Sequence, residues 1–155
     1  METVLSIVAI VLSFLSGGFA LYTFIWTSKR DRKQATLEAY NRLQAEVFDN
    51  LNAYRPSEIC NIVEDTKSQE YKILSGYLAR IEHFCVGINE GIYDKDTFYA
   101  LAHGYFDGNQ LKKRIEPLLE AKNRSSKTNE LFYNDTISVL RWMDKQKNKT
   151  KLKQG

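Results

Sequence analysis

The chain has 155 residues, of which 43% are hydrophobic, and a formal net charge of +3. This length fits one domain, and two cysteines are too few for the disulfide framework of a small secreted fold. The sequence therefore predicts that Cys60 and Cys85 are unpaired and buried, as thiols of a reducing compartment usually are.

The charge is distributed unevenly. Four basic residues follow the first apolar segment and five lie near the C-terminus, namely Lys29, Arg30, Arg32, Lys33, Lys145, Lys147, Lys149, Lys151 and Lys153. Between Gln34 and Asp144 there remain 13 basic and 17 acidic side chains, so the central part is net negative. The two basic clusters predict contact with the anionic inner leaflet of a lipid bilayer, and they favour lipid over nucleic acid as the partner.

An uncharged stretch runs from Val4 to Trp26. As a helix, its 23 residues would rise about 34 Å, against a hydrocarbon core of roughly 30 Å. We therefore predict a transmembrane helix over residues 4–27, with residues 1–3 outside the cytoplasm. The alternative is a cleaved secretory signal, which is disfavoured because Glu2 makes the N-terminus acidic and the apolar run is too long.

Basic residues flank the predicted span only on its C-terminal side. Because basic flanks remain in the cytoplasm, the N-terminus is predicted to lie outside and the body inside. The chain is thus predicted to be a single-pass protein of the cell inner membrane, with its C-terminal domain cytoplasmic.

Small residues recur on one side of the predicted span. The set comprises Ser6, Ala9, Ser13, Ser16, Gly17, Ala20 and Thr23. Small residues let helix backbones approach closely in lipid, so this stripe predicts association with a second copy or with a partner membrane protein. The alternative is that the stripe reflects the ordinary composition of a span.

The residues after the span show helical periodicity. The first helix is expected to continue from the span to Arg55, with a stripe of Leu37, Tyr40, Leu43, Val47, Leu51 and Tyr54. A short helix starts at Pro56, and a third begins near Thr66 or Ser68 and ends at Gly91. The cleanest apolar stripe is on that third helix, at Leu74, Leu78, Ile81, Cys85 and Ile88.

The sequence of the C-terminal half predicts two further helical regions. Asp94 or Asp96 caps the first, which either kinks or packs closely at Gly104 and Gly108. After a polar linker at residues 123–129, a last helix carries Leu131, Phe132, Ile137, Leu140, Trp142 and Met143. The predicted fold is all-α, with one N-terminal transmembrane helix, a cytosolic bundle of five or six helices over residues 28–143 and a flexible basic tail over residues 144–155.

The segment from Leu78 to Lys122 contains a helix that ends in a glycine turn, an acidic cap and an aromatic-rich helix, and "LFYNDTISVLRWM" follows from Leu131 to Met143. In these features the chain resembles the bacterial domain-of-unknown-function family numbered 4760, whose members often place one span before a cytosolic helical domain. The resemblance implies the fold and the topology. It implies no catalytic residue, because the family has no established activity.

The polar residues form no pattern typical of a catalytic or metal site. His83 and Cys85 are two positions apart and point in different directions on a helix, so they cannot share one metal ion. Cys85 is predicted to be a core thiol, His83 a surface residue and His103 a packed or interfacial one. Because capping explains Asp94 and Asp96, we predict no catalytic residue, no metal and no cofactor.

The sequence therefore predicts a non-enzymatic interaction or scaffolding module anchored in the inner membrane. A bacterial stress or phage response is the setting we consider. Two alternatives remain open, a membrane-perturbing effector that acts through self-associated spans, and a hydrolase whose site the sequence does not reveal.

Overall fold

The computed structural model describes the backbone of residues 2–107, 110–125 and 133–152, and the side chains of residues 10, 12–105, 111–124 and 133–149. The elements are α1 (Glu2–Leu43), a π-helical turn (Gln44–Phe48), α2 (Asp49–Asn52), α3 (Pro56–Ile62), α4 (Gln69–Asn89), α5 (Lys95–Asp107), α6 (Gln110–Ser125) and α7 (Asn134–Leu152). These ranges contain no strand, which confirms the predicted all-α fold.

The first three elements form one uninterrupted helical stretch from Glu2 to Asn52, as the sequence predicts. The residues that flank the π-helical turn, Leu43 and Asp49, both have right-handed helical backbone angles, so the turn does not end the helix. A π-helical turn changes which side chains face the body, and here Val47 and Phe48 are both buried although they are adjacent. Nothing in the residue types of Gln44–Phe48 explains why the turn forms there.

Local capping fixes where α3 and α4 begin. Arg55 is extended, Pro56 occupies the first turn of α3, and the Glu58 carboxylate accepts the Arg55 N–H at 2.7 Å. The Ser68 hydroxyl accepts the Tyr71 N–H at 3.1 Å and so caps α4. Both predicted starts are confirmed.

The end of α4 depends on two glycines. Gly91 has a φ of +71°, a conformation that favours glycine, and its N–H bonds to the Ile88 carbonyl at 3.4 Å. Gly87 is buried against the Tyr93 ring, and a Cβ at Gly87 would overlap that ring. Since the Tyr93 ring also stacks on Phe84 at 5.1 Å, the chain after Gly91 folds back onto α4.

The core lies between α4 and the helices around it. Fully buried side chains include Val47, Phe48, Leu51, Ile59, Leu74, Leu78, Ile81, Phe98, Leu111, Ile115, Leu118 and Val139. An aromatic cluster joins the end of α1 and the π-helical turn to α5, with the Tyr40 ring 6.2 Å from that of Phe98 and the Phe48 ring stacked on that of Tyr105 at 4.9 Å. The predicted stripe of α4 is buried at every position, Cys85 included.

The Glu82 carboxylate of α4 caps the N-terminus of α7. It accepts the backbone N–H groups of Asp135 and Thr136 at 3.2 and 2.8 Å, and the Thr136 hydroxyl at 2.6 Å. Asn89 donates to the Asp135 carboxylate at 2.6 Å. A carboxylate at a helix N-terminus satisfies unpaired donors and complements the helix dipole, so this contact positions α7 on α4.

Some predicted core positions are wrong. Leu37 is 43% exposed, and Thr36 is buried in its place because it continues the face of Tyr40, Leu43 and Val47. Cys60 is exposed, since Ile59 and Val63 supply the inward face of that short helix.

Other predictions about the second half of the body need correction. α6 continues through Ser125, so the start of the predicted linker is helical, and residues 126–132, with Leu131 and Phe132, lie outside the described part. A Cβ at Gly104 would meet nothing within 4 Å, so close packing there is wrong, while Gly108 is not described. α7 reaches Leu152, so the predicted flexible tail is helical over residues 144–152, because lysine and glutamine are good helix formers.

Replacing Glu82 by alanine should weaken the packing of α7 on α4. Two backbone donors and the Thr136 hydroxyl lose their acceptor, so we expect the free energy of unfolding to fall by roughly 1–3 kcal/mol. Urea unfolding of the full chain in detergent micelles, followed by circular dichroism, measures this loss. Glu90→Ala is the matched control, because Glu90 is an exposed glutamate just beyond the same helix, and equal losses in the two variants would contradict the capping role.

Candidate functional site

The N-terminal half of α1 exposes large apolar side chains that the body does not cover. Between Ile10 and Trp26 their exposed fractions run from 47% to 78%. They comprise Ile10, Leu12, Phe14, Leu15, Phe19, Leu21, Tyr22, Phe24, Ile25 and Trp26. Large apolar side chains are normally enclosed by other apolar groups, and the described residues of the body leave most of these side chains uncovered.

The described part of α1 does not support the predicted transmembrane helix. Among the described residues, no helix is both long enough and apolar enough to cross a membrane. The side chains of residues 1–9 and 11, where the predicted span begins, lie outside that description.

The small residues of the stripe lie on this exposed surface. Ser13, Ser16, Gly17, Ala20 and Thr23 are all exposed, and the side chains of Ser6 and Ala9 are not described. The Ser16 hydroxyl donates to the Ser13 carbonyl at 3.0 Å, and the Thr23 hydroxyl donates to the Phe19 carbonyl. These two hydroxyls are therefore satisfied within their own helix, and helix association through the stripe stays a prediction.

The basic residues fall on two different helices. Lys29, Arg30, Arg32 and Lys33 are exposed on the two turns of α1 that follow the apolar half. Lys145, Lys147 and Lys149 lie near the end of α7, while the side chains of Lys151 and Lys153 are not described. Their contact with a membrane surface stays a prediction.

A buried hydroxyl joins α1 to the loop between α4 and α5. Thr36 is fully buried, and its hydroxyl donates to the Arg32 carbonyl at 2.7 Å and accepts the Asp94 N–H at 2.7 Å. The Arg32 guanidinium also donates to the Gly91 carbonyl at 3.3 Å. Both ends of the loop Gly91–Asp94 are therefore fixed to the first turns of α1 after the apolar half. We call this contact the α1 junction.

Asp94 makes the junction electrostatically favourable. Its carboxylate accepts the Thr97 N–H at 2.9 Å and the Thr97 hydroxyl at 2.6 Å, which confirms it as the cap of α5. The bonds from Thr97 and the nearby cations Lys33 and Arg32 hold the pKa of Asp94 below its ordinary value. The carboxylate thus stays ionised beside the basic residues of α1.

Between the two ends of the junction, Ile92 points away from the core. It is 58% exposed and lines a surface hollow of about 400 Å³ together with one face of α1. That face consists of Phe24, Thr27, Ser28, Asp31, Arg32 and Ala35. The loop therefore reaches the level at which the apolar half of α1 ends.

Two larger hollows lie elsewhere on the body. One, of about 580 Å³, lies between α4 and the end of α1, where Arg80 pairs with Glu46 at 2.7 Å beside Arg42 and His83. The other, of about 710 Å³, lies between α3 and α6 and contains Cys60. Cys60 and His83 thus lie in separate hollows and cannot act as a nucleophile–base pair.

The polar cluster around Glu82 is partly buried, as a catalytic cluster would be, but its groups are used in capping α7. Cys85 lies beside it, and burial raises the pKa of its thiol to about 12, so it stays protonated and unreactive. No group of His, Cys, Asp and Glu side chains suitable for a metal ion occurs among the residues that are described. His103 is exposed, with its ring 5.9 Å from that of Tyr99.

The basic residues and the Asp94 cap follow from the sequence, but the contacts of Thr36 and Ile92 that bring them together do not. Thr36 could have been found, because it continues the spacing of Tyr40, Leu43 and Val47, but a polar residue was not expected on that face. Ile92 had no such signal, since a single apolar residue in a turn is usual on protein surfaces.

Replacing Thr36 by valine keeps the shape of the side chain but leaves the Asp94 N–H without its acceptor. We expect the free energy of unfolding to fall by about 1–3 kcal/mol and the Asp94 amide to exchange faster. Denaturant unfolding and hydrogen exchange measure both effects. Thr36→Ser keeps the hydroxyl, so its free energy of unfolding should fall less than that of Thr36→Val. Thr66→Val is the control, because it makes the same change at an exposed threonine. Normal exchange at Asp94 in Thr36→Val would argue against the junction.

Comparison with known proteins identifies a family. No curated protein and no solved structure matches the chain. The model of one protein family, described as a domain of unknown function (DUF4760), matches residues 10–142. The match includes part of the apolar half of α1, the whole α1 junction and the body as far as Trp142. The chain belongs to the DUF4760 family.

Proposed function

We propose that this protein is a single-pass anchor of the cell inner membrane, with an α-helical body that binds a partner protein or a second copy and catalyses no reaction. The observation that carries the proposal is the apolar half of α1. Ten large side chains there are 47–78% exposed, whereas among the described residues after Trp26 the exposed large apolar side chains are Leu37, Ile73 and Ile92. A bilayer is an environment that would enclose these exposed side chains.

Charge supports the orientation. Four basic residues follow the apolar half, at Lys29, Arg30, Arg32 and Lys33. With these residues on the cytoplasmic side, the N-terminus lies outside and the body inside. The two free thiols suit a reducing compartment.

The binding role is supported by the small-residue stripe and by the junction. Gly17 and Gly18 have open space where a Cβ would lie, so a neighbouring helix can approach the backbone of α1 there. Because Thr36 and Arg32 fix the loop Gly91–Asp94 to α1, the body keeps a fixed orientation relative to the span. Association of spans would then place the bodies in a defined arrangement.

The two alternatives receive less support. An effector that breaches the membrane needs polar groups to line a water path, and the Ser16 and Thr23 hydroxyls donate to carbonyls of their own helix, which leaves only their acceptor lone pairs for water. A hydrolase needs a convergent set of reactive groups, but the Glu82 carboxylate accepts donors from the start of α7. The first observation gives the effector less support, and the second gives the hydrolase less support.

A topology reporter tests the anchor. A reporter that is active only in the cytoplasm should be active when it is fused after Gly155, because the basic flank keeps the body inside. A reporter that is active only outside the inner membrane should be inactive at the same position. The reverse result would overturn the orientation, and release of the protein by alkaline extraction of membranes would overturn the anchor itself.

The stripe is tested by adding volume to it. Replacing Ser13, Gly17 and Ala20 by leucine should separate the associated backbones, at about 1 kcal/mol for each lost contact, and shift the complex towards monomer. An in-membrane dimerisation assay measures the shift. The control set is Leu12→Trp, Leu15→Trp and Phe19→Trp, which adds volume on other sides of the helix. Equal effects of the two sets, or no self-association of the parent protein, would exclude the stripe as the interface between copies.

A further inference from the structure

Ile92 is an exposed isoleucine in the loop between α4 and α5. Among the described residues after Trp26, the other exposed large apolar side chains are Leu37 at 43% and Ile73 at 39%, and Ile92 exceeds both at 58%. A single exposed apolar residue is usual on a protein surface, so the exposure of Ile92 alone indicates no function. Its position relative to α1 therefore decides what can cover it.

The loop that carries Ile92 is held at a fixed level along α1. Arg32 bonds to the Gly91 carbonyl before it, and Thr36 accepts the Asp94 N–H after it. The neighbouring Tyr93 ring packs on Phe84 and Gly87, so the loop is also fixed to α4. Ile92 shares its hollow with Phe24 and Thr27, which belong to the last turn of the predicted span.

We propose that Ile92 enters the boundary between headgroups and acyl chains of the leaflet through which α1 leaves the membrane. The loop Gly91–Asp94 is then a second membrane contact of the body, on a leaflet that contains anionic lipid. This inference rests on the proposed function, because the level of Ile92 is set by a span that ends near Trp26. If Phe24 lies in that leaflet, the side chain that shares its hollow lies at the same boundary.

The charges around the hollow suit a lipid surface. Lys29, Arg30 and Lys33 are exposed on the same two turns of α1, and each favours an anionic headgroup. Asp31 lines the hollow and opposes that attraction, whereas the Asp94 carboxylate is bonded to Thr97 and faces Lys33 and Arg32. An apolar tip beside basic residues is the usual composition of an interfacial membrane contact.

The free thiols make a direct test practical. Cys60 is exposed and would be removed as Cys60→Ser, whereas the buried thiol of Cys85 resists labelling because burial raises its pKa to about 12. In that background, Ile92→Cys, Phe24→Cys and Ile73→Cys would each carry the same polarity-sensitive fluorophore. The full chain would be reconstituted into vesicles of phosphatidylcholine with a minor share of phosphatidylglycerol. Nitroxide groups attached to the lipids then quench only probes that lie at or in the bilayer.

Ile73 is the matched control, because it is an exposed isoleucine near the other end of α4, about 24 Å along the helix from Asn89. We expect the Ile92 probe to be quenched several-fold more than the Ile73 probe and to a degree similar to the Phe24 probe. A quenched Phe24 probe with an unquenched Ile92 probe would overturn this inference and leave the anchor intact. An unquenched Phe24 probe would overturn both this inference and the membrane anchor. Blue-shifted but unquenched emission from the Ile92 probe would show that protein, and not lipid, covers this position, and would overturn the lipid contact.

Discussion

The hydroxyl of Thr36 connects the two halves of this molecule. It is buried where α1 passes from its apolar half into the bundle, and it bonds both to the helix before it and to the start of α5. A hydroxyl in that position satisfies the Asp94 N–H, which would otherwise be an unpaired donor. The level of the loop Gly91–Asp94 along α1, and with it the position of Ile92, depends on this contact and on the bond from Arg32.

α1 has two environments in one continuous helix. From Ile10 to Trp26 its large apolar side chains are exposed, while from Thr36 onward one face is enclosed by the bundle. The basic residues Lys29 to Lys33 lie between these parts, so the helix changes from apolar to charged to amphipathic without a break. A continuous helix of this kind can transmit the orientation of its first half to the body, which a flexible linker could not do.

Much of the fold could be predicted from periodicity and capping residues. The buried stripe of α4 and the starts at Pro56, Ser68 and Asp94 follow from local chemistry, and the structure confirms them. Contacts between distant segments were not predictable in this way. Glu82 caps a helix that begins more than fifty positions later, and Thr36 bonds to a residue 58 positions away.

The wrong predictions about buried residues also arise because contacts with other segments decide which side chains are enclosed. The apolar Leu37 was preferred to Thr36 because hydropathy does not indicate whether a hydroxyl will find a partner inside the protein. Cys60 was expected to be buried because cysteine usually is, but Ile59 and Val63 fill the inward face of a short helix. The stripe and the basic clusters are visible in the sequence, but a single chain shows no contact that tests what they bind.

Hydrogen–deuterium exchange of the full chain in lipid nanodiscs most directly tests whether one continuous helix joins a membrane anchor to the body. We expect slow exchange throughout Ile10–Leu43, because lipid would exclude water from the first part and the bundle covers one face of the last. The turns between them should keep their helical hydrogen bonds. Rapid exchange between Thr27 and Ala35 would contradict a rigid connection, and rapid exchange across Ile10–Trp26 would contradict the anchor.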